Sequence, residues 1–221
     1  MPRPPRVLIS AGNTREMMDP VRYLSNVSTG VMGFELAKAS RKAGFPTTLV
    51  AGPNDLKKPS GVRMIGITTS GELAKVLRKE FARSDILFMT SAVCDFSPVK
   101  VSSRKIKRKP FLTLKLVKTP DILSGLARRR GRRTVVGFCL ETENLIANAR
   151  RKLREKRVDY MVANYLGRGS TPFGPHRTSV TILSKNGKSV SLRNVTKAKV
   201  ARFLIASVLG NRVVGKRGRP Q

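Results

Sequence analysis

The chain has 221 residues, 40% hydrophobic, 5% aromatic and without Trp, which suits one α/β domain with an aliphatic core, alone or with a small appendage. No run approaches the roughly 18 consecutive apolar residues of a membrane-spanning helix, so no such span is expected. Lys and Arg total 45 against 13 Asp and Glu, a formal charge of +32 that attracts polyanions (nucleotides, phosphorylated metabolites, RNA or DNA), although a merely solvated basic surface has the same balance.

The opening Met1-Pro2-Arg3-Pro4-Pro5-Arg6 leads into Val7-Leu8-Ile9, which is shorter than the about 7–15 apolar residues of a signal-peptide core, so a cytoplasmic protein is expected. Residues 6–11 read as a buried strand ending at Gly12-Asn13. A long loop over 14–29 follows, and a helix opens at Gly30-Val31-Met32-Gly33 and stops at Gly44-Phe45-Pro46. Residues 47–51 and 62–67 read as strands. Thr69-Ser70-Gly71-Glu72 fits a capping box, and Leu73, Val76, Leu77 and Phe81 follow at helical spacing. Residues 85–93 read as a buried strand, and 100–118 as an exposed basic hairpin or flap. Thr119 is placed as the cap of a helix with Pro120 at its first position, ending in the Arg128–Arg133 run. Residues 134–140 form a strand, 143–158 a helix with Leu145, Ile146, Ala149 and Leu153 inward, and 159–163 another strand. Asn186-Gly187 joins strands 179–183 and 189–192 as a hairpin, and a last helix covers 195–209 before a basic tail, 211–221, expected to be disordered. Strands alternating with helices predict a mainly parallel, three-layer α/β sheet with a protruding basic flap, in one domain over 1–210. Cys94 and Cys139 are expected to be reduced; with no CxxC and His176 as the sole histidine, neither a structural zinc site nor a histidine-based triad is expected.

In open parallel sheets, ligands bind beyond the carboxyl ends of the strands. Segments 12–29, 91–96, 141–142 and 164–174 all fall at that edge. The stretch between Gly12 and Gly30 is too long for the tight turn of a dinucleotide fingerprint, which disfavours a nicotinamide-dependent oxidoreductase. Asn26-Val27-Ser28-Thr29-Gly30 at a helix N-terminus fits a phosphate site or a plain cap equally well. Arg104 to Lys109 could close over a triphosphate, or be a solvated charge run. Lys152 and Lys156 share a helix face, but near the end of a helix that should run away from the site.

Asp19-Pro20-Val21-Arg22-Tyr23-Leu24-Ser25-Asn26-Val27-Ser28-Thr29-Gly30-Val31-Met32-Gly33 resembles the D-P-V-R-x-I/L-S/T-N-x-S-S/T-G-x-M-G signature of the phosphopantothenoylcysteine synthetases. Ser91 to Phe96 resembles their A-A-V-A-D-Y/F segment, Lys105-Ile106-Lys107 their K-I-K-K, and Thr119 to Leu123 their N/T-P-D-I-L. Gly137 to Thr142 is similar to G-F-x-x-E-T, and Ala149 to Asp159 to A-R-x-K-L-x-x-K-x-x-D; Val162-Ala163-Asn164 and Phe173-Gly174 complete the order. The sequence departs from the pattern at Ser91, Cys94 and Cys139-Leu140, where alanines are usual, and at Pro175 to Thr178.

The resemblance implies a Rossmann-like homodimer that joins 4′-phosphopantothenate to cysteine through an acyl-nucleotide, with CTP preferred over ATP and Mg²⁺ required. It implies catalytic roles for Asn26, Lys105 and Arg22. It also implies nucleotide contacts from Asp95, Lys105, Pro120, Asp121, Ile122, Leu123, Phe138, Lys152 and Lys156, and phosphopantothenate contacts from Asn26, Ser28, Thr29 and Gly30; no metal ligand is assigned. Family members are often fused to a flavin-dependent decarboxylase, for which this chain is too short, so no flavin is expected. The alternative reading is a nucleic-acid-binding protein, resting on the net charge, Arg128 to Arg133, and Arg217-Gly218-Arg219-Pro220, which resembles an AT-hook core.

Overall fold

The computed structural model describes residues 3–167 and 173–214. In chain order it runs β1 (Val7–Ala11), β2 (Arg15–Met17), β3 (Tyr23–Ser25), α1 (Val31–Lys42), β4 (Thr47–Ala51), β5 (Arg63–Gly66), α2 (Ser70–Phe81), β6 (Ile86–Met89) and β7 (Phe96–Pro98). It continues with β8 (Leu116–Lys118), α3 (Ile122–Arg128), β9 (Thr134–Glu141), α4 (Leu145–Glu155), β10 (Tyr160–Tyr165), β11 (Thr178–Ser184), β12 (Ser189–Val195) and α5 (Lys197–Val214).

β1 is buried along its whole length, as a central parallel strand covered on both faces requires. Val7, Ile9 and Ala11 pack into one core layer and Leu8 into the other. The main sheet has eight strands in the order β12-β11-β10-β9-β6-β1-β4-β5. β10 through β5 in that order are parallel, and β11 and β12 close one side as antiparallel strands. α1 and α5 cover one face through Phe34, Leu36, Val200, Leu204 and Val208. α2, α3 and α4 cover the other through Leu73, Leu77, Phe81, Ile122, Leu126, Ala149 and Leu153. Each large side chain fully buried in this way contributes roughly 1.5–3 kcal/mol. The result is the mainly parallel three-layer sandwich that the order of elements predicts, of the Rossmann-like kind that the resemblance implies. Among the described residues, no helix is long and apolar enough to cross a membrane.

The capping box at α2 forms with one shift: Thr69 Oγ1 accepts from Glu72 N at 3.2 Å, while Glu72 accepts from Thr68 N rather than from Thr69 N. Buried Glu16 of β2 adds a second carboxylate to this helix start by accepting from Ser70 N at 2.8 Å.

Several expectations need correction. The loop over 14–29 contains the antiparallel pair β2–β3. Its register needs only three residues a side, too few to show as a period-two pattern. β6 ends at Met89, four residues before the expected Val93, because the chain there turns to the end of β1. Asp121, not Thr119, caps α3: its carboxylate accepts from Ser124 N and the Ser124 hydroxyl, whereas the Thr119 hydroxyl donates to Cys94 O. Pro120 therefore precedes the helix. Ile146, expected inward, is 38% exposed, since α4 starts only at Leu145 and buries Ala149 and Leu153. The flap is paired only at its base, β7 with β8, leaving 99–115 without strand structure. α5 runs to Val214, into the segment read as tail; the Arg217 to Pro220 motif lies outside the described residues.

Candidate functional site

Strand order reverses beside β1: the chain leaves it for β4 and β5, then returns to β6 on the other side. Such a switch point opens a crevice at the carboxyl edge. Here the two strand ends stay joined: Ala92 N donates to Gly12 O at 2.8 Å and Thr14 N to Ala92 O at 3.3 Å. The β2–β3 hairpin is stapled onto this junction. Ser25 Oγ donates to Thr14 O at 2.8 Å, and Asn13 Nδ2 donates to Asn26 O at 3.0 Å. Asn26 Nδ2 in turn donates to Val93 O at 2.9 Å, fixing its carboxamide at the rim.

A cavity of about 680 Å³ opens there. Asn26, Asp95, Pro120, Asp121, Ile122, Leu123, Phe138, Lys152 and Lys156 all line it, together with Lys118, which sequence reasoning did not single out. Lys152 and Lys156 reach it despite their place late in α4. Lys152 Nζ pairs with Glu141, the last residue of β9, at 2.7 Å, and Lys156 Nζ pairs with Asp121 at the start of α3. Burial raises the Asp121 carboxyl, but Lys156 and Ser124 outweigh it and the net shift is downward. Cys139, on the wall, is a free thiol that burial pushes up to about 11, so it faces the cavity uncharged near neutral pH. Cys94 is also free, buried, and raised chiefly by burial.

Two smaller cavities continue the groove toward α1. One of about 200 Å³ shares Ser91, Ala92, Phe138, Cys139, Leu140 and Phe173 with the first, and adds Ser28, Asn164 and Lys197. The other, about 60 Å³, is lined by Ser28 to Gly33, Thr90, Phe173 and Lys197. The sequence left the α1 start open between cap and anion site. Gly30 occupies the cap position at φ 78° with no side-chain cap hydrogen bond. Thr29 Oγ1 instead accepts from Gly174 N at 3.1 Å. The first N–H groups of α1 thus lack a side-chain partner of the usual capping kind, at the edge where a cavity lies. Close approach here depends on Gly33, where a Cβ would stand 2.5 Å from Ala11 Cβ.

Arg22 and Lys105 line none of these cavities. The Arg22 guanidinium donates to the fully buried Asp19 carboxylate and, at 2.6 Å, to Ile106 O of the flap. Asp19 accepts from Ile106 N at 3.0 Å. That bond holds the Asp19 carboxyl below the usual carboxylate range against the opposing effect of burial, with Arg22 and the N–H groups of Val21 and Arg22 adding to it. Lys105 is exposed on the flap, next to this clasp. Asp19 and Lys197 are the positions whose roles the sequence did not reveal: both are buried charges, and burial has no local sequence pattern. Among the described residues, no group of three or more His, Cys, Asp or Glu side chains could hold a metal ion. Of the Arg128–Arg133 run, Arg133 donates to Ala82 O and Ser84 O with its guanidinium over Phe81, and Arg130 pairs with Asp159. Both serve the fold.

The sheet order and the lysine-lined crevice define a Rossmann-like α/β protein with an anion-accepting groove at the switch point. The chain belongs to the DNA/pantothenate metabolism flavoprotein C-terminal domain family, which matches residues 3–211. It is 37% identical over 204 residues to the coenzyme A biosynthesis bifunctional protein CoaBC of Borreliella burgdorferi, covering 90% of this chain and 51% of that protein. Against the CoaBC of Bacillus subtilis the identity is 36% over 197 residues, covering 88% and 48%. The chain therefore spans about half the length of these relatives. Among solved structures, the C-terminal domain of a CoaBC superposes with a TM-score of 0.81 at 29% identity, covering 95% of this chain and 96% of that one.

Proposed function

We propose that the protein joins 4′-phosphopantothenate to cysteine at the expense of a nucleoside triphosphate, with CTP as the preferred nucleotide. The observation that carries the reading is the continuous groove: a large cavity with Lys118, Lys152 and Lys156 on its walls passes into a smaller one at the uncapped start of α1. A nucleotide in the first and an acyl substrate in the second would meet at Asn26 and Ser91 to Val93. The two substrates are both anions, and fixed cations offset their repulsion. The substrate carboxylate attacks the α-phosphorus, the bond to the β-phosphate oxygen breaks, and pyrophosphate leaves. The cysteine amine then attacks the acyl carbon, and the nucleoside monophosphate leaves. Lys156 and Lys152 would exchange their carboxylate partners for phosphate oxygens, and Lys105 would approach the triphosphate from the flap. No electrons are transferred overall, so the step calls for no flavin.

Mg²⁺ would come with the triphosphate, which suits a protein in which no group of three or more His, Cys, Asp or Glu among the described residues could hold it alone; bound there, it would neutralise phosphate charge. The test is product formation from phosphopantothenate, cysteine and Mg²⁺ with CTP or ATP. Phosphopantothenoylcysteine, pyrophosphate and CMP are expected, with CTP the faster; no product with either nucleotide sinks the reading.

A homodimer belongs to the same proposal. Tyr23, Phe96, Val99, Val101, Leu116 and Val117 are 42–63% exposed on or beside the two small hairpins. Apolar side chains clustered in this way support an interface. Sedimentation should give twice the 24.4 kDa chain mass; a monomer at micromolar concentration would exclude it.

A further inference from the structure

Lys197 is 5% exposed, at the first position of α5. Three circumstances make its charge costly there. Burial removes water from the ammonium and lowers its pKa. The start of a helix is the positive end of its dipole, where a cation is disfavoured. Among the described residues, no carboxylate forms an ion pair with it; its bond is to the carbonyl of Gly174. Yet the side chain lines both smaller cavities of the groove, and no acidic residue lines either of them.

The polar side chains around the smallest cavity include further donors. Ser28 and Thr29 bring hydroxyls, and α1 begins there with no side-chain cap. Lys197 and α1 are also tied together: Gly174 offers its carbonyl to Lys197 and donates its N–H to Thr29 Oγ1. A buried cation, an uncapped helix start and two hydroxyls with no carboxylate make an environment that an oxyanion completes.

We propose that Lys197 is the specificity-determining residue for the phosphate monoester of the acyl substrate, which it binds together with the first turn of α1. This rests on the ligase reading, and it adds the reason why the phosphorylated acid would be chosen over pantothenate itself. The phosphate would supply the counter-charge that the fold withholds.

The experiment compares KM for phosphopantothenate with KM for pantothenate in the wild type, Lys197→Met and Lys197→Gln. Thermal melting verifies that each variant is folded. The glutamine variant retains a donor for Gly174 O and loses only the charge. Both variants are expected to reduce the preference for the phosphorylated acid by about 30-fold, the worth of a charge-assisted hydrogen bond. An unchanged preference in folded, active variants overturns the proposal and leaves the ligase reading standing. Calorimetric titration with inorganic phosphate separates the opposite case. If the wild type makes no product but binds phosphate in a way that both substitutions weaken, the anion subsite stands and the ligase reading falls. Phosphate binding indifferent to both substitutions overturns the subsite.

Discussion

Asn26→Asp is expected to slow product formation by roughly 10²–10³-fold while an acyl-nucleotide accumulates, whereas Lys105→Gln is expected to prevent that intermediate from forming. The asymmetry follows from where the two side chains sit. Asn26 Nδ2 donates to Val93 O at 2.9 Å on the cavity rim. Aspartate would set a carboxylate oxygen against that carbonyl and a negative charge beside the acyl carbon that the amine must attack. The first step needs less from Asn26, because its charge builds up on the phosphate. Lys105 is exposed on the flap and lines none of the three cavities, and in the proposed reaction its ammonium would approach the triphosphate rather than the acyl carbon. Mass spectrometry of quenched reactions reads both outcomes. Wild-type behaviour in both variants would remove the assigned roles.

Gly52→Ala is expected to cost at least about 3 kcal/mol of stability, lowering the melting temperature by roughly 6–12 °C. A Cβ at Gly52 would stand 1.8 Å from Asn13 O and 2.9 Å from Asn13 C, which are backbone atoms that no rotamer change can move. The same crowding should propagate to the site. Gly52 N donates to Ala11 O, and the adjacent Asn13 carries Asn26 through the bond from Asn13 Nδ2 to Asn26 O. A variant that melts within 2 °C of the wild type, by calorimetry at about neutral pH, would contradict this account of the junction.

Much of the main sheet is legible in the sequence because its strands carry a strong local signal. VLISA and TTLVA are apolar runs bounded by glycine, and Asn186-Gly187 announces its own hairpin. The β2–β3 pair is not legible because its three-residue strands have no periodicity to detect and are held by side chains distant in sequence, such as Glu16 on Ser70 N. At α3 the choice between two capping residues was decided by tertiary contacts: the Thr119 hydroxyl is claimed by Cys94 O, which leaves Asp121 to cap. The cavity wall follows the motif order closely, from Asn26 through Lys156. Individual side chains are less legible. Helix direction alone points Lys152 and Lys156 away from the site, and only the resemblance implies that they contact the nucleotide; their pairing with Glu141 and Asp121 at the cavity depends on the fold. Nothing local marks Lys197: the helix expected over 195–209 would place it inside the first turn, and the structure puts it at the first position of α5, where a cation is disfavoured.

The flap is gripped rather than free along its first part. Ser102 N donates to Met18 O at 2.9 Å, and Ile106 is clasped through both its N–H and its carbonyl by Asp19 and Arg22. Lys105 lies between these two fastenings, while Lys107, Arg108, Lys109 and Phe111 lie beyond them. The loop should therefore behave as a short lever on a fixed fulcrum. The lysine assigned to the triphosphate would keep its bearing while the distal arm swings, so that the ordering entropy of closure falls on the outer residues and leaves the reactive end largely prearranged.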